Sequence, residues 1–234
     1  MKLWIRWVAA NAAGELAGLG LVFACGVAIF GGQTRTAIAT TLLVAALLGV
    51  LEGATVGFAQ WLVLRRWIAN ITIERWVAAT AIGAGAAWTL GMLPSTFVHA
   101  HAQVAQTTAP PTALQNLIMS VVIGAAGGVV LSFAQWRVLR RAAGGAGWWI
   151  PANVAAWVMA MPWIFWLVGS TIAHHRDRWS IAAFLAGLAA AGAIAGAVHG
   201  IVLVLLIRPG ETQTRVRPSG AAVMADNAAA VVPH

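Results

Sequence analysis

Two acidic residues, Glu15 and Glu52, lie deep inside apolar stretches of this sequence, where a carboxyl group can bind a proton or a cation. Glu52 stands twelve residues before Leu64, where its apolar stretch ends. In a helix that spacing corresponds to about 18 Å, close to the midplane of a bilayer. Because an acidic side chain costs on the order of 2.5–3.5 kcal/mol there, both glutamates should face the interior of a helix bundle and find partners.

Three uses of these carboxyl groups remain open from the sequence. One is a protonated glutamate that hydrogen-bonds a neighbouring helix; the others are proton or cation coupling and a counter-ion for a cationic ligand. Asn11 stands four residues before Glu15, and Gln60 stands two helical turns after Glu52, so each shares a helical face with its glutamate. Burial disfavours the charged form of a carboxyl group, so at least one glutamate is expected to be neutral.

His199 is a third group that could do chemistry, since an imidazole within a membrane helix can titrate or ligate haem or a chlorophyll-type pigment. It occupies the position that glutamines hold in two similar segments, which favours hydrogen bonding, and we expect no cofactor. Four more histidines fall near the ends of apolar runs at spacings that match no standard metal motif, so we expect no metal site. These are His99, His101, His174 and His175.

The sequence contains no motif of a soluble enzyme. It has no nucleophile elbow, phosphate loop, zinc-binding histidine pair on a helix or cysteine cluster. We therefore expect a protein without catalytic function.

A set of membrane-spanning helices must position these residues, and the composition predicts such helices. Of the 234 residues, 61% are hydrophobic and only 9% are charged, against about 25% charged in soluble domains. The sequence predicts an all-α fold, a six-helix transmembrane bundle over residues 1–207, followed by a flexible cytoplasmic tail over 208–234. Six apolar runs reach the roughly 20 residues that a spanning helix needs: about 7–30, 37–64, 76–98, 114–139, 149–172 and 179–207.

The positive charges predict how the bundle lies in the membrane. Six spans place both termini on one side, and that side carries eleven of the fourteen lysines and arginines. The positive-inside rule makes it the cytoplasmic side of a bacterial cytoplasmic membrane. Because the net charge of +8 is gathered at the ends of apolar runs, it indicates topology and not nucleic-acid binding. The expected partners are the lipid bilayer and, as candidates, other membrane subunits or a second copy of the chain.

One segment occurs twice and indicates the internal organisation. Phe58–Arg66 reappears almost unchanged 75 residues later as Phe133–Arg141, and each copy closes an apolar run. A weaker third copy ends the last run, with His199 in place of the glutamine. Since each odd-numbered run also opens on a tryptophan, the chain is predicted to consist of three parallel two-helix hairpins. Their bounds are about 4–66, 76–141 and 149–207.

The repeats predict two structural features, a polar layer and faces of small residues. Six polar residues fall about one helical turn inside the membrane boundary and should form a hydrogen-bonded layer: Asn11, Gln60, Thr80, Gln135, Asn153 and His199. Small residues recur every fourth position on the even-numbered helices, where they permit close packing within the chain or, as an alternative, in a dimer. We expect these helices to lie inside the bundle and the odd-numbered ones to surround them. The glycines are Gly49, Gly53, Gly57, Gly124, Gly128, Gly192, Gly196 and Gly200.

The pattern Gly-x-x-x-Gly-x-x-Gln-Trp-x-x-Leu-Arg, carried by Gly53–Arg65, resembles a broad group of uncharacterised bacterial multi-pass membrane proteins. The resemblance implies a membrane protein and no particular activity. Composition favours a subunit or scaffold of a membrane complex. The alternatives are a small transporter or proton-coupled permease that uses Glu15 and Glu52, and a haem or pigment protein that uses His199. Since the repeats differ at these three positions, they are the better candidates for function.

Overall fold

The computed structural model of the chain describes residues 1–30, 37–105, 111–173 and 178–207. The side chains of residues 30, 94, 95, 97–105, 171–173 and 178 are not described. The predicted tail over 208–234 lies outside the described residues. So do His174 and His175 and the side chains of His99 and His101, which leaves the expectation about those four histidines as a prediction.

Six long helices form the framework of the described chain, and their bounds agree with the predicted apolar runs to within a few residues for five of the six. The all-α six-helix fold is therefore confirmed. Each helix contains a stretch long and apolar enough to cross a bilayer, so the protein is a multi-pass membrane helix bundle. The helices are α1 (Lys2–Phe30), α2 (Ile38–Leu64), α3 (Ile73–Ala105), α4 (Ala113–Leu139), α5 (Trp149–Ala173) and α6 (Arg178–Leu206).

Helix α3 is longer than the sequence predicted. Its apolar part covers Ile73–Leu93, but the helix continues to Ala105. Hydropathy marks the residues that a bilayer accepts, whereas helix formation depends on backbone propensity, and alanine and glutamine favour a helix in water as well. The helix therefore extends beyond the end of its apolar run.

The helices pack as one closed ring in chain order. Each helix contacts the helices before and after it, and α6 packs against α1 to complete the ring. Within the described residues, no two even-numbered helices form a substantial contact. The expectation that the even-numbered helices lie inside and the odd-numbered ones surround them is therefore wrong. Their small-residue faces pack against odd-numbered neighbours and not against each other.

The eight glycines of these faces all meet a neighbouring helix of the same chain. A Cβ atom on Gly53 would lie 2.6 Å from the Cβ of Ala84, and one on Gly124 would lie 2.5 Å from the carbonyl oxygen of Trp157. No methyl group fits at such distances, so the glycines permit the close approach of backbones on which packing in lipid depends. Gly49, Gly53 and Gly57 face α3, Gly124 and Gly128 face α5, and Gly192, Gly196 and Gly200 face α1.

One end of the ring collects the starts of α1, α3 and α5 and the ends of α2, α4 and α6. We call it the tryptophan end, because Trp7, Trp76 and Trp149 are completely buried there. Between α4 and α5 the chain reverses through Gly145, whose φ of +70° is a left-handed conformation that glycine adopts without strain. A 3-10 turn over Ala146–Trp148 then leads into α5.

Candidate functional site

A hydrogen-bonded unit recurs three times at the tryptophan end. Each odd-numbered helix has a tryptophan at or near its start, which we call its entry tryptophan. In each case the indole N–H of this tryptophan donates to the glutamine or histidine near the end of the preceding even-numbered helix. In the closed ring, α6 precedes α1. Three helix pairs, α2–α3, α4–α5 and α6–α1, are therefore joined in the same way. The bonds run from Trp76 to Gln60 (3.1 Å), from Trp149 to Gln135 (3.0 Å) and from Trp7 to the Nδ1 atom of His199 (2.8 Å).

Further hydrogen bonds join these units into one layer. The amide of Gln60 donates to Asn11 Oδ1 (2.9 Å), and that of Gln135 donates to Thr80 Oγ1 (3.0 Å) and to Gln60 Oε1 (3.2 Å). Asn11, Thr80 and Asn153 each donate to the backbone carbonyl of the tryptophan four residues earlier. The structure thus brings the six polar residues predicted from the sequence into one buried layer, in which Asn153 takes part through Trp149.

His199 packs against the rings of two tryptophans. Its ring lies 5.7 Å from that of Trp7 and 5.2 Å from that of Trp149, measured between centroids, and Nδ1 already accepts a hydrogen bond. Trp149 also contacts Trp7 and Trp76 edge-on, at 6.0 and 6.3 Å. Haem ligation needs a free ring nitrogen with open space beside it. The surroundings of His199 favour a structural role within a cluster of packed aromatic rings.

Replacing Gln135 with leucine should destabilise the bundle by about 1–3 kcal/mol, because the buried N–H of Trp149 loses its acceptor. Removing both partners in the double variant Gln135→Leu/Trp149→Phe should cost less than the sum of the two single changes, since no donor is left unpaired. Thermal unfolding midpoints in detergent micelles measure both effects. Strictly additive losses would show that this bond does not hold the layer together.

The second polar cluster is the pair of glutamates. The side chains of Glu15 on α1 and Glu52 on α2 are 3% and 5% exposed, and they are close enough to interact with each other. A hydrogen bond between two carboxyl groups requires a proton on one of them. The indole N–H of Trp88 on α3 donates to the Oε2 atom of Glu52. The pair is therefore placed so that it could share one proton, and it has a third partner on a third helix.

One oxygen of the pair has no partner. Oε2 of Glu15 is buried, and among the buried side-chain nitrogen and oxygen atoms of the described residues it alone lacks a hydrogen bond. Buried polar groups are nearly always satisfied, and exceptions concentrate where a protein binds something or changes state. A second proton or a water molecule is the natural occupant of this position.

Glycines pack closely around the glutamates. A Cβ on Gly18 would lie 3.1 Å from Cγ of Glu52, and one on Gly192 of α6 would lie 2.7 Å from Cγ of Glu15. Gly49 makes room for Trp88 in the same way, because its Cβ would lie 2.7 Å from the indole Cδ1 atom. The backbones of α1, α2, α3 and α6 thus converge here, which leaves little space around the carboxyl groups.

The partners differ from those suggested by sequence spacing. Asn11 and Gln60 share helical faces with the glutamates, but they bond to each other one layer nearer the tryptophan end. Trp88 was missed, although the sequence carries a signal for it. It stands twelve residues after Trp76, and the equivalent positions counted from the other entry tryptophans are leucine and methionine. Like both glutamates, Trp88 therefore lies where the repeats differ.

Comparisons of the chain with protein-family models, curated proteins and solved structures give no match. The chemistry of the site must therefore be argued from its own residues. Within the described ranges, no group of three histidine, cysteine or acidic side chains is arranged to hold a metal ion. The paired carboxyl groups are the part of this site that can exchange a proton within the membrane.

Proposed function

We propose that the protein is a small membrane permease that moves protons, in which Glu15 and Glu52 form the proton-binding site. The close approach of two buried carboxyl groups in the interior of the helix bundle is the observation that carries this proposal. Intramembrane acidic residues that face a bundle interior commonly belong to proton relays and transport pathways. The unpartnered oxygen of Glu15 adds a position at which a second proton or a water molecule can bind.

The pair couples proton binding to helix packing through charge repulsion. With one proton shared, α1 and α2 are held together at this depth. Loss of that proton leaves two carboxylates side by side, which repel by about 4 kcal/mol at a separation of about 4 Å and an effective dielectric constant of about 20. Because Glu15 lies on α1 and Glu52 on α2, this repulsion acts to separate those two helices. Opening of the ring at α1 is thus the proposed transport step.

Close packing supports a proton in preference to a larger ligand. The Cβ positions of Gly18 and Gly192 already lie within 3.1 Å of the glutamate side chains, so a hydrated metal ion or an organic cation has no room between the helices. A proton needs no cavity. The counter-ion function for a cationic ligand is therefore the weaker alternative.

The tryptophan end supports a direction of access. Three buried tryptophans and the polar layer close the ring on that side of the glutamates. By the positive-inside rule we propose that this end faces the cytoplasm of a bacterial cell. Because both carboxyl groups are buried in this conformation, the pair is reached from the opposite side only when the ring opens. Pro162 lies inside α5, where its missing N–H provides a place for the helix to bend.

Proton flux into liposomes tests this function. Purified protein is reconstituted with an imposed pH gradient, and the internal pH is followed with a trapped dye. We expect the wild-type protein to dissipate the gradient faster than empty liposomes do. Glu52→Gln should reduce this flux at least about tenfold, which corresponds to about 1.4 kcal/mol on the barrier.

Glu74 provides the matched control for this experiment, because it is a glutamate exposed at the start of α3. Glu74→Gln should retain the wild-type flux. If wild-type protein conducts no more than empty liposomes, or if Glu52→Gln conducts as well as wild type, the permease proposal is wrong. Those outcomes would favour the alternative function, a subunit or scaffold of a membrane complex, which the composition suggests. Co-purification of partners from mild detergent is the direct assay for that function.

A further inference from the structure

The repeated segment that ends α2 and α4 presents the same arrangement of side chains twice. The guanidinium carbon of Arg65 lies 4.9 Å from the ring centroid of Trp61, and that of Arg140 lies 4.9 Å from the ring centroid of Trp136. A phenylalanine packs on each tryptophan three residues earlier, with centroid separations of 6.2 and 5.4 Å. We call these sets the first ladder (Phe58, Trp61, Arg65) and the second ladder (Phe133, Trp136, Arg140).

Both ladders face away from the ring. Phe58 and Phe133 are 47% and 49% exposed, and both arginines are exposed. Residues spaced by three and four lie on one face of a helix, so each ladder runs along the outer surface up to the tryptophan end. In a membrane that surface meets acyl chains at the phenylalanine and phosphate groups at the arginine. The ladders therefore span the depth of a lipid headgroup and the start of its chain.

We propose that each ladder binds one anionic phospholipid, with its phosphate on the arginine pair and its acyl chain along the tryptophan and phenylalanine. A guanidinium group matches a phosphate with two parallel hydrogen bonds, and stacking on an aromatic ring fixes its plane. A second exposed arginine, Arg66 or Arg141, follows directly in each copy. The paired positive charges select an anionic headgroup over a zwitterionic one.

The indole of Trp61 is also held in place. Its N–H donates to the backbone carbonyl of Ile71 at 3.3 Å, in the turn that leads to α3. With the N–H bonded in this way, one face of the Trp61 ring contacts Arg65 and its outer side can contact lipid. Binding at the first ladder therefore requires little reordering of protein side chains, which favours affinity.

The third hairpin supplies an internal contrast. With His199 in register with Gln60, the ladder positions on α6 are occupied by Ala197, Gly200 and Val204. Trp4 of α1 packs against this part of α6 and donates to the backbone carbonyl of Ala197 at 3.0 Å. Within the described residues, the proposal therefore gives two phospholipid sites and not three. This inference is independent of the glutamate pair and of the permease proposal.

Native mass spectrometry of the delipidated protein tests the proposal directly. The protein in detergent is titrated with phosphatidylglycerol or, separately, with phosphatidylcholine. We expect two tightly bound phosphatidylglycerol molecules per chain, and no comparably tight binding of phosphatidylcholine. Arg65→Gln/Arg66→Gln should weaken one site roughly tenfold, and Arg140→Gln/Arg141→Gln should weaken the other equally.

Lys2→Gln/Arg6→Gln is the charge-matched control, because both residues are exposed at the same end of the ring but belong to no ladder. It should keep both tight sites. Trp136→Leu leaves the charge unchanged and should still lose the second site. Equal binding of the two lipids by wild type, equal loss in the control variant, or two intact sites in Trp136→Leu would each overturn the proposal.

Discussion

A leucine in place of Gly192 is expected to abolish accumulation of the folded protein. The Cβ of any residue at this position would run into the backbone carbonyl oxygen of Asn11 and lie 2.7 Å from Cγ of Glu15. A backbone atom cannot move aside as the end of a flexible side chain can. Because this contact closes the ring between α6 and α1, the two helices must separate along their length. Even Gly192→Ala should cost about 1–3 kcal/mol, the usual cost of overpacking.

Gly20 is the matched control, since a Cβ added there meets nothing within 4 Å. Gly20→Leu should accumulate and unfold like wild type, because Gly20 lies on a membrane helix but not at a helix contact. Size-exclusion chromatography and thermal unfolding in detergent measure both variants. Equal behaviour of Gly192→Leu and Gly20→Leu would show that α6 does not pack on α1 as described.

The second large effect is a loss of stability as the pH rises. In the proposed site the folded protein holds a proton between Glu15 and Glu52, whereas both carboxyl groups of the unfolded chain release theirs in neutral water. The folded state therefore binds more protons than the unfolded state, so stability must fall as the pH rises. One proton corresponds to about 1.4 kcal/mol per pH unit. The fall begins above the pH at which an exposed glutamate ionises and ends once the folded pair has lost its proton.

Unfolding of the bundle in detergent at several pH values measures this slope. The double variant Glu15→Gln/Glu52→Gln carries no ionisable group at the site, so its stability should be nearly independent of pH over the range where wild type weakens. Glu74→Gln should keep the wild-type slope, because Glu74 is exposed. A wild-type slope in the double variant would show that the glutamate pair does not hold the proton.

The polar layer could be predicted because depth in a membrane follows from counting. A helix rises about 1.5 Å per residue, so residues equally far from the boundary lie at equal depth. Gln60 and Asn11 were placed in one layer by that count, and they bond at 2.9 Å. The sequence also shows tryptophans at the starts of the odd-numbered apolar runs. Their use as hydrogen-bond donors to the layer appears only when the helices are assembled.

The arrangement of helices around the axis could not be predicted in the same way. A stripe such as Gly49–Gly57 shows which face of α2 packs closely, but it does not show which helix it meets. The angular position of a helix depends on all of its neighbours together. For that reason the depth of Glu15 and Glu52 could be counted along the sequence, but their contact with each other and with Trp88 could not be predicted.

The protonation state of Glu15 and Glu52 is the central claim, and infrared spectroscopy measures it most directly. The carbonyl stretch of a protonated carboxyl group is separate from that of a carboxylate. The other four acidic side chains of the sequence lie at the ends of apolar runs or outside them. Wild-type protein near neutral pH should show a protonated-carboxyl band that is lost in Glu15→Gln/Glu52→Gln. Absence of the band in wild type, or its persistence in the double variant, would contradict the account.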